Sequence, residues 1–450
     1  MTTRTAPADP SPDTGSVPAP RPTLAARVAA SVADPVLRIL VTATLISRVG
    51  RGIFLTVTVL YFTLIVGLPA HEVAIVLSAS SAVGIVASLA GGWLSDRWSA
   101  RRLLLIFTAL EGLGLLGYAL ADDFAAALIV GMVVGGFGQA ANSGRMAIIA
   151  RAFEGEPRVQ ARAVLRTVTN AAIAVGSGIG AIALAIGTAE AYRILLVLAG
   201  LAYLAGLLRL VRLPKSVDAV PPREHEPVLT ATGSTDVLAT KRQARRTLRA
   251  HSPWRDPRYL LLTLCSAVFG MQFGVGELAV PLWIAQDTAA PEVLVSVVLI
   301  LNTVVVILFQ VPLSRGTHDP RRAGRVSAIA AWLMAAACLV YAAAAGLPAW
   351  VAAVVIVSAA LAHAFAEVLS QAGGWGLSFE LADPVQAGTY QGVFGMGYSV
   401  GAMCAPLVVA ATTEQLGGAG WGILAVVFLV SGLGTWAIAR WSARTAAAAA

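Results

Sequence analysis

Ionisable and polar residues interrupt otherwise apolar stretches at helical spacings. Arg48 and Arg51 lie three apart, as do Asn142 and Arg145, while His363 and Glu367 lie four apart. Glu111, Glu277 and Asn302 stand singly. Residues three or four apart share one face of a helix. A charge at the centre of a bilayer costs about 2.5–3.5 kcal/mol, so each such side chain needs a partner or water. Arg51, Asn142, Arg145, Glu277, Asn302, His363 and Glu367 are therefore the candidates for a water-filled substrate and proton pathway. Glu367, tuned by His363, is the expected proton carrier, and Glu277 is its rival. Arg51 is expected to be deeper than Arg48, which has the option of snorkelling toward the surface. Glu111 reads as structural, or as protonated and hydrogen-bonded to a neighbouring helix. No glycine loop with a lysine, metal-ligand cluster or nucleophile–base spacing accompanies these residues. An enzyme, a metal site and a cofactor are therefore not expected. Cys265, Cys338 and Cys404 are far apart in apolar runs and read as packing residues.

The elements that carry these residues follow from composition. Of 450 residues, 57% are hydrophobic and 12% charged. A soluble chain carries roughly 25% charged residues. With a mean hydropathy of +0.77, the chain reads as an integral membrane protein. Apolar runs of 20 or more residues exclude a β-barrel, whose strands span in about 10. Twelve spans are expected, at 38–67, 71–95, 102–121, 124–150, 160–188, 191–211, 258–286, 291–314, 323–346, 349–373, 386–413 and 417–441. The organisation is a disordered tail (1–37), six spans (38–211), a linker (212–257), six spans (258–441) and a short tail (442–450). No cleavable signal is seen in the first tail, so the first span is expected to direct insertion. With the amino terminus inside, inner loops and flanks collect 29 of the 32 Arg and Lys residues. That asymmetry predicts two cytoplasmic termini and a cell-membrane location. The net charge of +8 then reflects topology rather than nucleic acid. The linker's Lys241, Arg242, Arg245, Arg246 and Arg249 are expected to lie against lipid headgroups.

The halves echo one another. His71-Glu72-Val73 recurs as Pro291-Glu292-Val293, and Gly50 falls on Gly270. Glu156-Pro157 with Val159-Gln160-Ala161 recurs as Asp383-Pro384 with Val385-Gln386-Ala387. Two six-helix repeats of one orientation point to a transporter that rocks about a midplane site.

Residues 92–102 read Gly-Trp-Leu-Ser-Asp-Arg-Trp-Ser-Ala-Arg-Arg. This resembles the loop signature between helices 2 and 3 of the major facilitator superfamily, retaining Gly92, Leu94, Asp96, Arg97, Arg101 and Arg102. Ser99 stands where glycine is usual. The resemblance covers roughly 38–441 and implies a fold of twelve transmembrane helices in two six-helix bundles. It implies that Asp96 faces the amino-terminal end of helix 11, near Gln386, and pairs with nearby arginines as part of the cytoplasmic gate. Arg315 takes the place of Asp96 in a weaker second copy. It also implies that helices 1, 4, 7 and 10 line a cavity. Residues 172–181 partly resemble the helix 5 signature of drug/proton antiporters, keeping Gly176 and Gly180, with Gly178 between them. Small residues at this spacing are expected to let helices approach closely. The family's midmembrane arginine on helix 4 is absent, with Val134 near its place.

The leading expectation is a proton-coupled exporter of small hydrophobic molecules or drugs, acting as a monomer in the bilayer. The alternative is a proton-coupled importer of a small, anionic metabolite, suggested by two arginines and no acid on the first span. A membrane receptor or scaffold is a third possibility.

Overall fold

The computed structural model describes residues 34–218 and 252–449. The amino-terminal tail and most of the basic linker, including Lys241 to Arg249, lie outside the described residues. Twelve long helical spans make up the described chain, with no strand among the described residues. They are α1 (Pro35–Val66), α2 (Ala70–Arg97), α3 (Ala100–Tyr118), α4 (Phe124–Ala152), α5 (Gly155–Ile186) and α6 (Ala189–Leu210). After the linker come α7 (Pro257–Asp287), α8 (Leu294–Leu313), α9 (Pro320–Ala342), α10 (Ala349–Glu380), α11 (Pro384–Glu414) and α12 (Gly418–Ala449). Among the described residues, ten of the helices are long and apolar enough to cross a membrane by length and composition. All twelve spans expected from sequence are present, but α5 begins five residues earlier and α10 runs seven residues further.

Local sequence explains where helices start and stop. Asp34-Pro35, Asp256-Pro257, Asp319-Pro320 and Asp383-Pro384 open α1, α7, α9 and α11. In each, the aspartate accepts a backbone N–H of the first turn and proline occupies a position that needs no donor. Gly67, at φ +82°, and Gly187, at φ +71°, end α1 and α5 in the left-handed conformation that side chains resist. Three spans contain π-helical turns, at Tyr61–Val66, Val275–Ala279 and Ala410–Glu414. The second of these carries Glu277.

Packing repeats with a shift of six helices. In the first half, α1 packs on α5 and α6, α4 on α2 and α3, and α3 on α6. In the second half, α7 packs on α11 and α12, α10 on α8 and α9, and α9 on α12. The main interfaces between halves, α2 with α11 and α5 with α8, exchange under the same shift, as do the smaller ones of α4 with α11 and α5 with α10. The short sequence echoes thus correspond to an internal pseudo-two-fold. Apolar clusters fill each half separately: one around Tyr61, Tyr118 and Tyr203, another around Trp283, Tyr341 and Trp421.

Glycines set the closest crossings. A side chain at Gly176 would run into the Val49 carbonyl, and one at Gly52 into the Ile173 carbonyl, so α1 and α5 meet backbone to backbone. Gly180 leaves room for Thr56. Gly178 faces open space, so the expected packing role fails at that position. It lies between its neighbours in sequence and therefore on another face of the helix. None of the three cysteines is in a disulfide.

Candidate functional site

The face that carries both described chain ends also carries the 2–3 loop; it is called the terminal face below. Asp96 closes α2 there. Its Oδ1 accepts Gly388 N–H at 2.7 Å, and its Oδ2 accepts Thr389 N–H at 2.5 Å and the Thr389 hydroxyl at 2.6 Å. These are the free donors of the first turn of α11, where the helix dipole favours a negative charge. The expected helix contact is therefore present, but the expected arginines are not its partners. The ion pair is with Arg151 of α4, at 2.8 Å, both side chains nearly fully buried. Arg97 turns outward and stacks on Trp93 at 3.9 Å. Arg101 binds the Val211 and Leu213 carbonyls at the start of the linker, and Arg102 lends only its backbone N–H to Ser99. Gly92 permits the crossing, since a side chain there would strike the Gly388 carbonyl.

A second latch sits across the pseudo-two-fold. Glu156, at the start of α5, accepts Gly316 N–H at 2.6 Å and faces His318 Nδ1 at 2.7 Å in the 8–9 loop. The acid stands on the helix side rather than on the loop, so Arg315 does not act as a counterpart of Asp96. Arg158 adds an ion pair to Glu380 at 3.5 Å.

Above these latches lies a cavity of about 500 Å³ between the halves. Its walls include Arg48, Arg51, Arg145, Arg162 and Arg166, with Gln139, Asn142 and a single carboxylate, Glu111. A second space of about 260 Å³ shares Gln139, Asn142, Arg162 and Arg166 and adds Phe273, Gln371, Trp375 and Tyr398. The first space is polar and cationic, and the second is aromatic. The inter-half hydrogen bonds run from the latches only as far as Gln139, whose amide donates to Ser399 at 2.9 Å. Beyond that level the cavity wall residues Ser81 and Met403 are exposed.

Each arginine is placed by its helix. Arg48 and Arg51 share a face of α1; Arg48 reaches Tyr203 at 3.5 Å and Arg51 lies over Phe54 at 5.2 Å. Arg48 therefore turns into the cavity instead of snorkelling. Arg145, only 8% exposed, has a buried Nε without a partner. Arg158, Arg162 and Arg166 are four apart and form one stripe of α5 facing α10. Arg162 lies over Trp375 at 4.2 Å, and Arg166 binds Glu367 at 2.8 Å. Arg48, Arg51, Arg145 and Arg162 form no ion pair among the described residues.

Glu111 also faces the cavity, beyond the role read from the sequence. It is buried on α3, yet its carboxylate reaches the cavity through the gap left by Gly138, where a side chain would lie 2.8 Å from Oε1. Its charge acts on Arg48, Arg145 and Tyr203.

On the other half, Glu367 accepts from Asn302 Nδ2 at 2.9 Å and Gln371 Nε2 at 3.4 Å in addition to Arg166. Asn302 and Glu367 are thus brought together as a pair. His363 does not hydrogen-bond Glu367; it faces the Gln272 backbone and the edge of Tyr341. Glu277 is exposed on the π-helical turn of α7, outside both spaces. Arg151, Arg162 and Arg166 were missed, because basic residues near a span's end read as topogenic; the four-residue spacing of Arg162 and Arg166 was the one available signal. Gln139, Gln371 and Trp375 carry no signal in a single sequence.

The sequence profile of the Major Facilitator Superfamily matches residues 40–406. No curated protein matches the sequence. Among solved structures, the human organic anion transporter MFSD10 (TETRAN) superposes with a TM-score of 0.66 at 16% identity, over 89% of this chain and 99% of that one. A bacterial homologue of the iron transporter ferroportin, in an outward-facing state, gives 0.67 at 13%, over 91% and 99%. The transporter FucP, in the outward conformation, gives 0.63 at 12%, over 91% and 99%. At these identities the likeness is one of fold.

Proposed function

The chain belongs to the Major Facilitator Superfamily, and on that premise we propose that it is a secondary transporter of a small organic anion, working by alternating access. The observation that carries this reading is the excess of guanidinium over carboxylate around the cavity. Five arginines and one glutamate line it, and four of those arginines form no ion pair. Charges taken from water and left unpaired are costly, and an anionic substrate offsets that cost where a neutral one does not. Arginine also binds carboxylate, sulfonate and phosphate groups through paired N–H donors. This favours the anionic substrate of the sequence reading over an uncharged hydrophobic molecule. The aromatic space beside the arginines suits an apolar body, so the substrate class is an amphipathic anion.

The latched terminal face is cytoplasmic in this proposal, and the cavity is loaded from the opposite side. Both termini then lie in the cytoplasm, with the protein in the cell membrane. Protons supply the drive through Glu367, the buried acid that joins the halves. The test is a thermal-shift screen of purified protein with matched sets of organic anions, neutral isosteres and cations, followed by uptake into proteoliposomes in both orientations. Bound ligand raises the unfolding midpoint. Stabilisation by anions alone, with transport, is expected; stabilisation by neutral or cationic members only would overturn the reading.

A further inference from the structure

A second basic recess lies on the terminal face, away from the cavity. It occupies about 410 Å³ between α9 and α12 and is lined by Arg321, Arg325, Trp436, Arg440, Ala443 and Arg444. The two helices pack closely below it, because Gly324 leaves room for Ala439 and the Trp436 ring. Arg321 and Arg325 are one turn apart at the start of α9, and Arg440 and Arg444 one turn apart near the end of α12. None of the four forms an ion pair among the described residues. Arg440 lies over Trp436 at 4.7 Å, and Asp319 beside them accepts the Arg321 backbone N–H as a helix cap.

Depth and surroundings say what such a recess meets. From Gly418 to Arg440 the helix rises about 33 Å at 1.5 Å per residue, against a hydrocarbon core of about 30 Å. The arginines therefore stand at headgroup level. Along the same faces, toward the membrane interior, Ile329 and Trp332 on α9 and Val426 and Val430 on α12 are 51–65% exposed. A cationic mouth thus continues into an apolar strip.

We propose that this recess binds the headgroup of an anionic phospholipid, its phosphate between the two arginine pairs and its acyl chains along the strip. Guanidinium pairs recognise phosphate by charge and by paired hydrogen bonds, and basic pockets between transmembrane helices are suited to acidic lipid headgroups. Free phosphate shares the first feature but leaves the apolar strip uncovered.

The test uses the full chain, delipidated in detergent, with native mass spectrometry across a titration of phosphatidylglycerol and, separately, phosphatidylcholine. The double variant R325Q/R444Q should bind the first phosphatidylglycerol about thirtyfold more weakly, the effect of two charges near a lipid surface. Its phosphatidylcholine binding should be unchanged. The exposed single variant R321Q gives a smaller shift in the same direction if the double variant fails to fold. Equal phosphatidylglycerol binding by wild type and the folded variants overturns the proposal. So does displacement of the lipid by equimolar glycerol phosphate, which would assign the recess to a soluble phosphate.

Discussion

Arg166 of α5 and Glu367 of α10 meet at 2.8 Å across the two halves, and Asn302 and Gln371 hold the same carboxylate from α8 and α10. Arg166 faces the cavity, whereas Glu367 stands behind it. One carboxylate therefore connects the substrate space to the interface that must rearrange.

Glu367→Gln keeps the size of the side chain but fixes the neutral form. The variant is expected to bind substrate and exchange it across the membrane, while gradient-driven accumulation falls to background. Counterflow and pH-jump uptake in proteoliposomes separate these activities. Accumulation that survives in Glu367→Gln but is lost in Glu277→Gln would move the coupling role to α7.

Arg51→Ala removes one of the cavity's unpaired cations. A well-oriented charged hydrogen bond contributes about 1.5–3 kcal/mol, so anion affinity should fall about 10- to 150-fold. Arg97→Ala, which loses a stack on exposed Trp93, should leave affinity unchanged. Isothermal titration of both variants with one anion decides the matter, and equal affinities would remove Arg51 from the site.

Asp96→Asn removes the charge shared by Arg151 and the first turn of α11. At about 2 kcal/mol for a charged hydrogen-bonded contact, the closed population should drop roughly thirtyfold relative to the open one. Spin-label distances between the 2–3 and 10–11 loops should lengthen. An unchanged distance distribution would mean that Asp96 does not hold the gate.

Gly176→Ala places a methyl group against the Val49 carbonyl, whereas Gly178→Ala meets nothing. Overpacking of this kind costs about 1–3 kcal/mol. The first variant should therefore unfold at a lower temperature in detergent, and the second should match wild type. Equal midpoints would contradict a close crossing of α1 and α5.

The spans were legible because hydrocarbon demands about 20 apolar residues in a row, whatever the tertiary context. Asp96 was legible because its loop signature is local, and Asn142 and Arg145 because polar groups in apolar helices need a purpose. Arg162 and Arg166 were hidden by the same logic. They lie in the first turns of a helix whose start reads as a basic flank, and only the folded arrangement turns their face toward α10. The His363–Glu367 spacing correctly put both on α10, but the acid found better donors in Arg166 across the interface and in Asn302 on α8. The reach of Glu111 into the cavity was not foreseen, because a helix's position at the periphery does not limit the reach of a side chain past a glycine.

Two of the three α11 groups that grip Asp96 are main-chain amides, those of Gly388 and Thr389. Side-chain substitution does not delete such donors; of the twenty residues, only proline lacks one. The gate is thus unequal in its vulnerability to mutation. The α11 side tolerates drift in its side chains so long as the crossing at Gly92 stays bare, while the α2 side depends on one carboxylate. Random mutagenesis selected for a leaky terminal face should therefore return changes at Asp96 and bulky replacements at Gly92 or Gly388 far more often than changes at Thr389.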